Sequence, residues 1–178
     1  MKKIFLGLLF LIYFDQMSYA QTIIGKSLPN LKGNTLAGKA LEIPKDIKGK
    51  ITFISFGFSQ ASSKKSEVWF KNFLSKYLKE KNIEFYAFPM LGDNPLVKTF
   101  GPIVEKGLKN QVKKEGQEHA MMVYQALDPI KKYIGYDTKE DTYLYLTDKK
   151  GNIVWAAQGA FSQTKFNEIS SIIKEINK

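Results

Sequence analysis

A short polar segment, "SQASSK" at residues 59–64, separates an apolar run from an amphipathic one. Its serine hydroxyls are groups that act as nucleophiles when a neighbouring base removes their proton. The chain contains a single imidazole, that of His119, which lies in a different segment. One interpretation is therefore a hydrolase or isomerase that combines the serine-rich turn with His119. The other is structural: Ser62 or Ser63 caps the following helix by accepting a hydrogen bond from a first-turn amide.

Other reactive groups are scarce in this sequence. It contains no cysteine, so its own side chains cannot carry out thiol–disulfide exchange. Most aspartates fall at predicted turns, where such residues usually close their own backbone loops. Glu140 and Asp141 form an acidic pair before a predicted strand, but two carboxylates without further ligands do not make a metal site. Dinucleotide-binding and haem-attachment motifs are also missing. The sequence therefore predicts no catalytic residue, no metal and no cofactor.

The charge of the chain favours acidic partners but not nucleic acid. The formal net charge is +10 at pH 7, and every cationic side chain is a lysine. Arginine is the side chain best suited to bidentate recognition of phosphates and base edges, so its absence disfavours a nucleic-acid partner. A cluster of lysines in the middle of the chain forms a candidate basic patch for an anionic surface, such as that of a membrane. Its members are Lys106, Lys109, Lys113 and Lys114.

The first twenty residues have the pattern of a secretory signal peptide. Lys2 and Lys3 precede the apolar run "IFLGLLFLIYF", and Ser18 and Ala20 occupy the small-residue positions of a cleavage site. The apolar run is shorter than the roughly 20 residues that a membrane-spanning helix needs. We expect residues 1–20 to be removed near Ala20, and residues 21–178 to form a single exported domain in the periplasm or outside the cell.

Hydrophobic periodicity predicts the order of the elements in that domain. Residues 51–58 and 83–88 are predicted strands, and a helix between them has apolar side chains at helical spacing. A strand, a helix and a second strand in this order form a right-handed unit with parallel strands. The apolar stripe of the helix comprises Trp69, Phe70, Phe73, Leu74, Tyr77 and Leu78.

The rest of the chain predicts a crossover, a hairpin and a closing helix. In the crossover, Ile103, Leu108 and Val112 are expected on one side of an amphipathic helix. Two strands then flank the turn "DKKGN", and a final helix is expected to be capped by Ser162 or Thr164.

Two segments carry a resemblance to a known superfamily. "FGFSQASSK" resembles the strand and turn of redoxins and Sco-type proteins, and "YLYLTDKKGNIVW" is similar to a hairpin of the same superfamily. The resemblance implies an α/β fold: a thioredoxin-like three-layer sandwich of β-α-β, crossover and β-β-α, with extra N-terminal strands. It places Ala61 at the position of the first reactive cysteine, and Lys64 or Lys65 at that of the second. Thr142 stands where the superfamily has a cis-proline.

This resemblance also indicates where a partner would bind. In redoxins, the groove between the cysteine turn and the cis-proline holds a peptide substrate through its backbone. Without the cysteines and the proline, the groove is expected to have lost exchange chemistry and to have kept at most its binding role. The candidate groove consists of Ser59, Gln60, Ala61, Ser62, Ser63, Asp141 and Thr142.

The C-terminal half carries a narrower resemblance. "IKKYIGYDTKEDTYLYLTDKKGNIVWAAQGAF" resembles the closing segment of mitochondrial ATP synthase assembly factors of the Atp-ten type, with matches that include Tyr145, Asp148 and Trp155. This resemblance implies a non-catalytic role in which the domain binds a subunit of a membrane enzyme. Our leading hypothesis is therefore an exported binding protein that acts on a protein client as an assembly factor or chaperone. The serine hydrolase or isomerase and the anionic-surface binder are the alternatives.

Overall fold

The computed structural model describes residues 22–178. The predicted signal peptide at residues 1–20 therefore lies outside the described residues. Within the described part of the chain, no helix is both long enough and apolar enough to cross a membrane.

The β-α-β unit, the crossover, the hairpin and the closing helix follow one another in the predicted order. The strands are β1 (Leu31–Asn34), β2 (Ala40–Ile43), β3 (Ile51–Gly57), β4 (Ile83–Pro89), β5 (Thr142–Thr147) and β6 (Ile153–Gln158). The α-helices are α1 (Gln60–Tyr77), α2 (Pro95–Gln111), α3 (Lys114–Gln117), α4 (Leu127–Ile134) and α5 (Gln163–Ile176). A short 3-10 helix, Lys45–Ile47, follows β2.

A four-stranded sheet in the order β4-β3-β5-β6 forms the centre of the fold. Strand β3 pairs parallel with β4 and antiparallel with β5, and β5 pairs antiparallel with β6. Every residue of β3 and β5 is buried, as expected of strands that are covered on both faces. Strands β1 and β2 form a separate hairpin, which corresponds to the predicted extra N-terminal strands.

Each face of the sheet is covered by its own apolar cluster. Phe53 of β3 packs on one face with Trp69 of α1 and Ile169 of α5. Phe56 packs on the other face with Ile43 from the hairpin and Ile134 of α4. The alternation of side chains along a strand assigns Phe53 and Phe56 to opposite faces. The result is the predicted three-layer arrangement, with the sheet between two layers of packed elements.

An irregular segment extends the sheet beyond β4. The amide of Ala87 donates to the carbonyl oxygen of His119 at 2.8 Å, and the amide of Met121 donates to the carbonyl oxygen of Ala87 at 3.1 Å. The amide of Val123 continues this ladder to the carbonyl of Pro89 at 2.9 Å. Residues 119–123 therefore run beside β4 like a short edge strand, and this places His119 next to the sheet.

The observed turn and cap residues match the prediction after β5 and at α5, and they differ from it at the start of α1. Gly151 adopts a positive φ of 86° in the turn between β5 and β6, as predicted. The side chain of Ser162 caps α5 by accepting from the amide of Lys165. The cap of α1, however, is Ser59 rather than Ser62 or Ser63, so that helix begins at Gln60.

Two apolar residues that were assigned to the apolar side of a predicted helix are exposed. Leu78 caps the C-terminus of α1 with helical backbone angles and is 68% exposed, because it lies about 180° around the helix from the buried Trp69. Ile103 of α2 is also 68% exposed. Helix α2 packs through Gly101, where a Cβ atom would lie 2.7 Å from the ring of Tyr124, while Leu108 is half-buried. The missing side chain of Gly101 allows this close approach, and Ile103 lies about 200° further around the helix, on the solvent side.

Gly101 and Gly107 of α2 provide a matched test of this packing. Replacing Gly107 with alanine should stabilise the fold by up to about 1 kcal/mol, because alanine favours the helix and nothing lies within 4 Å of the new Cβ. Gly101→Ala should instead destabilise it by about 1–3 kcal/mol, because the rigid ring of Tyr124 occupies the space. Urea unfolding of the two variants measures the difference. Equal effects would show that α2 is not seated on Tyr124.

Candidate functional site

The serine-rich turn joins the end of β3 to the first turn of α1. Ser59 has extended backbone angles, φ −156° and ψ 171°, and its side chain accepts a hydrogen bond from the amide of Ser62 at 3.2 Å. In return, Oγ of Ser62 accepts from the amide of Ser59 at 2.9 Å. This reciprocal pair is a capping box, with serine in place of the usual glutamate or glutamine. It satisfies amides that the helix itself leaves without partners.

The hydroxyl protons of Ser62 and Ser63 are engaged by the backbone of the turn. Oγ of Ser62 is buried, accepts a second hydrogen bond from the amide of Phe58 at 2.8 Å, and donates to the carbonyl of Ser59 at 2.8 Å. Oγ of Ser63 donates to the same carbonyl at 3.0 Å. Neither hydroxyl is therefore directed to His119. A nucleophile needs a base that receives its proton, and the serine-rich turn is built as a cap.

The turn lies against the start of β5, as the candidate groove requires. Oγ of Ser59 donates to the carbonyl oxygen of Lys139 at 2.8 Å. The ammonium group of Lys65 forms an ion pair with the carboxylate of Asp141. The hydroxyls of Ser66 and Thr142 are hydrogen-bonded at 2.6 Å in a buried position. Three polar contacts therefore hold this side of the turn against residues 139–142.

These contacts leave part of the candidate groove inaccessible. Ser62 and Thr142 are fully buried, and Thr142 pairs with Gly57 at the beginning of β5. Gln60, Ala61 and Ser63 are exposed on the first turn of α1. The predicted residues are thus brought together, and the exposed ones form a single small surface. That this surface binds a client stays a prediction.

A cleft of about 490 Å³ opens on the other side of the first turns of α1. Its apolar lining includes Phe70 of α1, Phe85 of β4 and Val112 beyond α2, while Gln60 and Lys64 lie at its polar edge. A mainly apolar cleft of this volume with a few polar groups is typical of binding sites in proteins. The cleft was not predicted from the sequence, because its walls come from segments that only the β3–β4 pairing and residues 119–123 bring together.

His119 lies in this cleft, where its surroundings keep it neutral. Its ring stacks on that of Phe85, with 4.1 Å between the ring centroids and 24° between the planes. Its Nδ1 atom is buried without a hydrogen-bond partner. Burial lowers the pKa of His119 below its ordinary value, and the negative charge of Glu84 only partly opposes this effect. His119 therefore contributes a flat, uncharged wall to the cleft.

The candidate basic patch lies close to the cleft but outside it. Lys106 and Lys109 belong to α2, Lys113 precedes α3, and Lys114 is its first residue. All four are exposed. None of them takes part in the ion pairs that the structure shows among residues 22–178. Their charges are therefore available to a partner.

Comparison with known proteins identifies both the family and the fold. The model of the family described as ATP10 protein matches residues 13–176. The thiol-disulfide oxidoreductases ResA of Bacillus thuringiensis and Bacillus anthracis are each 31% identical to the chain over 154 residues, which is 86% of this chain and 78% of theirs.

Solved structures with similar folds are also thioredoxin-like. The thioredoxin domain of a thiol-disulfide oxidoreductase from Bacteroides vulgatus has a TM-score of 0.57 and 16% identity, over 84% of this chain and 97% of that one. A thiol:disulfide interchange protein from a Bacteroides species has a TM-score of 0.54 and 17% identity, over 87% and 91%. The predicted thioredoxin-like fold is confirmed. The cysteines that give such relatives their name are absent from this sequence.

The capping box gives a prediction for two neighbouring serines. Ser62→Ala should destabilise the fold by about 1–3 kcal/mol, because the amides of Phe58 and Ser59 lose their acceptor. Ser63→Ala is the control and should change the free energy of unfolding by no more than about 0.5 kcal/mol, since only one exposed hydrogen bond is lost. Urea unfolding measures both. A similar loss in the two variants would contradict the role assigned to Ser62.

The environment of His119 gives a prediction about pH. Because His119 is the only histidine of the chain, its NMR titration needs no assignment and should give a pKa below the ordinary value of about 6.5. The unfolded chain then binds this proton more readily than the folded chain. Stability should therefore fall as pH is lowered from about 6.5 towards the folded-state pKa, and be unaffected by this group at higher pH.

His119→Gln is the variant that isolates this effect. It should lose less stability than the parent chain when pH is lowered from about 7 to about 5, because the group with the lowered pKa has been removed. A titration of His119 at or above about 6.5, or parallel pH profiles of the two chains, would contradict the burial described here.

Proposed function

Because the chain belongs to the ATP10 protein family, we propose that it is a non-catalytic thioredoxin-like assembly factor or chaperone that binds a protein client. The observation that carries this proposal is the state of the former exchange site. The resemblance places Ala61, and Lys64 or Lys65, where the superfamily has reactive cysteines, and the hydroxyls of Ser62 and Ser63 are bonded within the turn. A site of this kind can bind a partner but cannot exchange disulfides.

The cleft beside the turn is the surface that best fits a client. It is apolar inside, with Phe85 and Phe70 in its walls, and it is open to solvent along a polar edge that includes Gln60 and Lys64. An apolar side chain of a client gains free energy by leaving water for such a surface. Polar groups at the edge of an interface add specificity, since each must find a hydrogen-bond partner. We therefore place the client contact in this cleft and on the adjoining exposed residues of α1.

The family and the N-terminal pattern support a proposal about the class of client and its location. We propose that the client is a subunit of a membrane complex, and that residues 1–20 direct export of the chain, with cleavage near Ala20. The serine hydrolase alternative has less support, because the turn directs neither serine proton to His119.

Photo-crosslinking tests the proposed client contact. A photoreactive amino acid at Gln60, at the edge of the cleft, should form adducts with a membrane-complex subunit in the envelope of living cells. The same group at Lys150, in the turn between β5 and β6, serves as the control and should not. Purified chain should also show no turnover in insulin-reduction and peroxidase assays. The intact mass of chain from the same envelope preparation should correspond to a start at Gln21.

A variant that fills the cleft sharpens this test. Ala87→Met adds a long side chain at a residue that lines the cleft, and it should reduce the Gln60 adducts by about tenfold if the apolar contact dominates binding. Ala37→Met is the matched control, because Ala37 is exposed between β1 and β2. Undiminished adducts in a folded Ala87→Met chain, or disulfide turnover by the purified protein, would overturn the proposal.

A further inference from the structure

Helix α2 exposes an unusual concentration of large apolar side chains. Leu96 is 70% exposed, Phe100 54%, Ile103 68% and Val104 49%. Their spacing of four, three and one residues places them on one side of the helix. Gly107 lies on the same side, with open space where its side chain would be. We call these four apolar residues the outer face of α2. Only three other large apolar residues within 22–178 are comparably exposed, and none of them is on this helix.

The outer face is exposed although α2 is packed on the protein through its other side. On its inner side α2 is seated on Tyr124, which touches Gly101 and whose hydroxyl donates to the carboxylate of Glu105 at 3.2 Å. Glu105 is the only acidic residue of α2. Its charge is therefore held against the protein, away from the outer face, which leaves that face free of negative charge.

Lysines occupy the polar side of α2. At about 100° per residue, Lys106 borders the apolar strip, Lys98 and Lys109 lie on the opposite side of the helix, and Lys113 and Lys114 come directly after it. All five are exposed. Lysine places its aliphatic stem along apolar surface while the ammonium group stays in water. An apolar strip with one lysine at its edge and further lysines on its polar side is complementary to a layer of anionic headgroups above hydrocarbon.

We propose that α2 docks on an anionic lipid bilayer, lying flat with its outer face at the boundary between headgroups and acyl chains. Such a helix combines a strip of large apolar side chains with lysines on its polar side. The helix has 17 residues, about 25 Å in length, which suits a helix lying on a surface. The lysines alone predict only a diffuse attraction to anionic surfaces; the exposed apolar strip supplies the insertion. This inference does not depend on the proposed function.

Vesicle binding by the full folded chain tests the proposal. Sedimentation with phosphatidylcholine vesicles that contain roughly one-third phosphatidylglycerol should show binding at least about tenfold tighter than to phosphatidylcholine alone. Phe100→Ser with Ile103→Ser should weaken binding to the anionic vesicles by about tenfold or more. Val68→Ser with Leu78→Ser is the matched control, because it removes two exposed apolar residues at α1, and it should change binding by less than about twofold.

A fluorescent reporter separates insertion from surface attraction. Both native tryptophans are buried, so Phe100→Trp introduces an exposed indole whose emission should shift to shorter wavelength on anionic vesicles. Val68→Trp is the control and should not shift. The proposal is overturned if the parent chain does not bind, if the two serine pairs have equal effects, or if Phe100→Trp does not shift.

Client crosslinking in detergent distinguishes this surface from a docking site for protein. The Phe100→Ser and Ile103→Ser pair should leave the Gln60 adducts in detergent extracts unchanged. If it removes those adducts and leaves vesicle binding intact, the outer face contacts a protein and the lipid proposal is wrong. Loss of the adducts in Ala87→Met with normal vesicle binding would show that client binding in the cleft and lipid binding by α2 are independent.

Discussion

Strand β3 pairs with β4 on one edge and β5 on the other, and its residues are buried because both faces of the sheet are covered. This double pairing is the constraint on which the functional surfaces depend. Parallel pairing places the end of β3 beside the end of β4, and antiparallel pairing places it beside the start of β5. The turn at residues 58–63 is therefore held between two neighbours, with residues 139–142 on one side and the cleft containing His119 on the other.

The two sides of the turn differ in their physical character. Towards β5 the contact is polar and closed: Ser66 is bonded to Thr142, Lys65 is paired with Asp141, and the buried groups have partners. Towards β4 the surface is apolar and open, and the imidazole of His119 that stacks on Phe85 is neutral. The relatives named as oxidoreductases share the fold. In this chain the turn between β3 and α1 forms a helix cap next to a cleft, an arrangement suited to binding.

Much of the fold was predictable because local patterns agree with tertiary packing. The apolar runs of β3 and β4, the glycine of the last turn and the serine cap of α5 were each read correctly from neighbouring residues. Errors arose where one residue type serves several roles. Three serines near the start of α1 could cap it. The N-cap is Ser59, which has extended backbone angles immediately before the first helical residue. In α2, amphipathic spacing does not reveal which of two apolar sides faces the protein.

The sequence by itself determined the chemistry that is absent and the order of the elements. Without cysteine no thiol is available, and the periodicity of apolar residues sets where strands and helices form. Only the tertiary structure decided which surfaces are open. The cleft forms only where residues between positions 55 and 120 meet at one edge of the sheet. The contact of Gly101 with Tyr124 determines which side of α2 faces the protein. Such contacts join residues that are far apart in the chain, and local sequence patterns do not predict them.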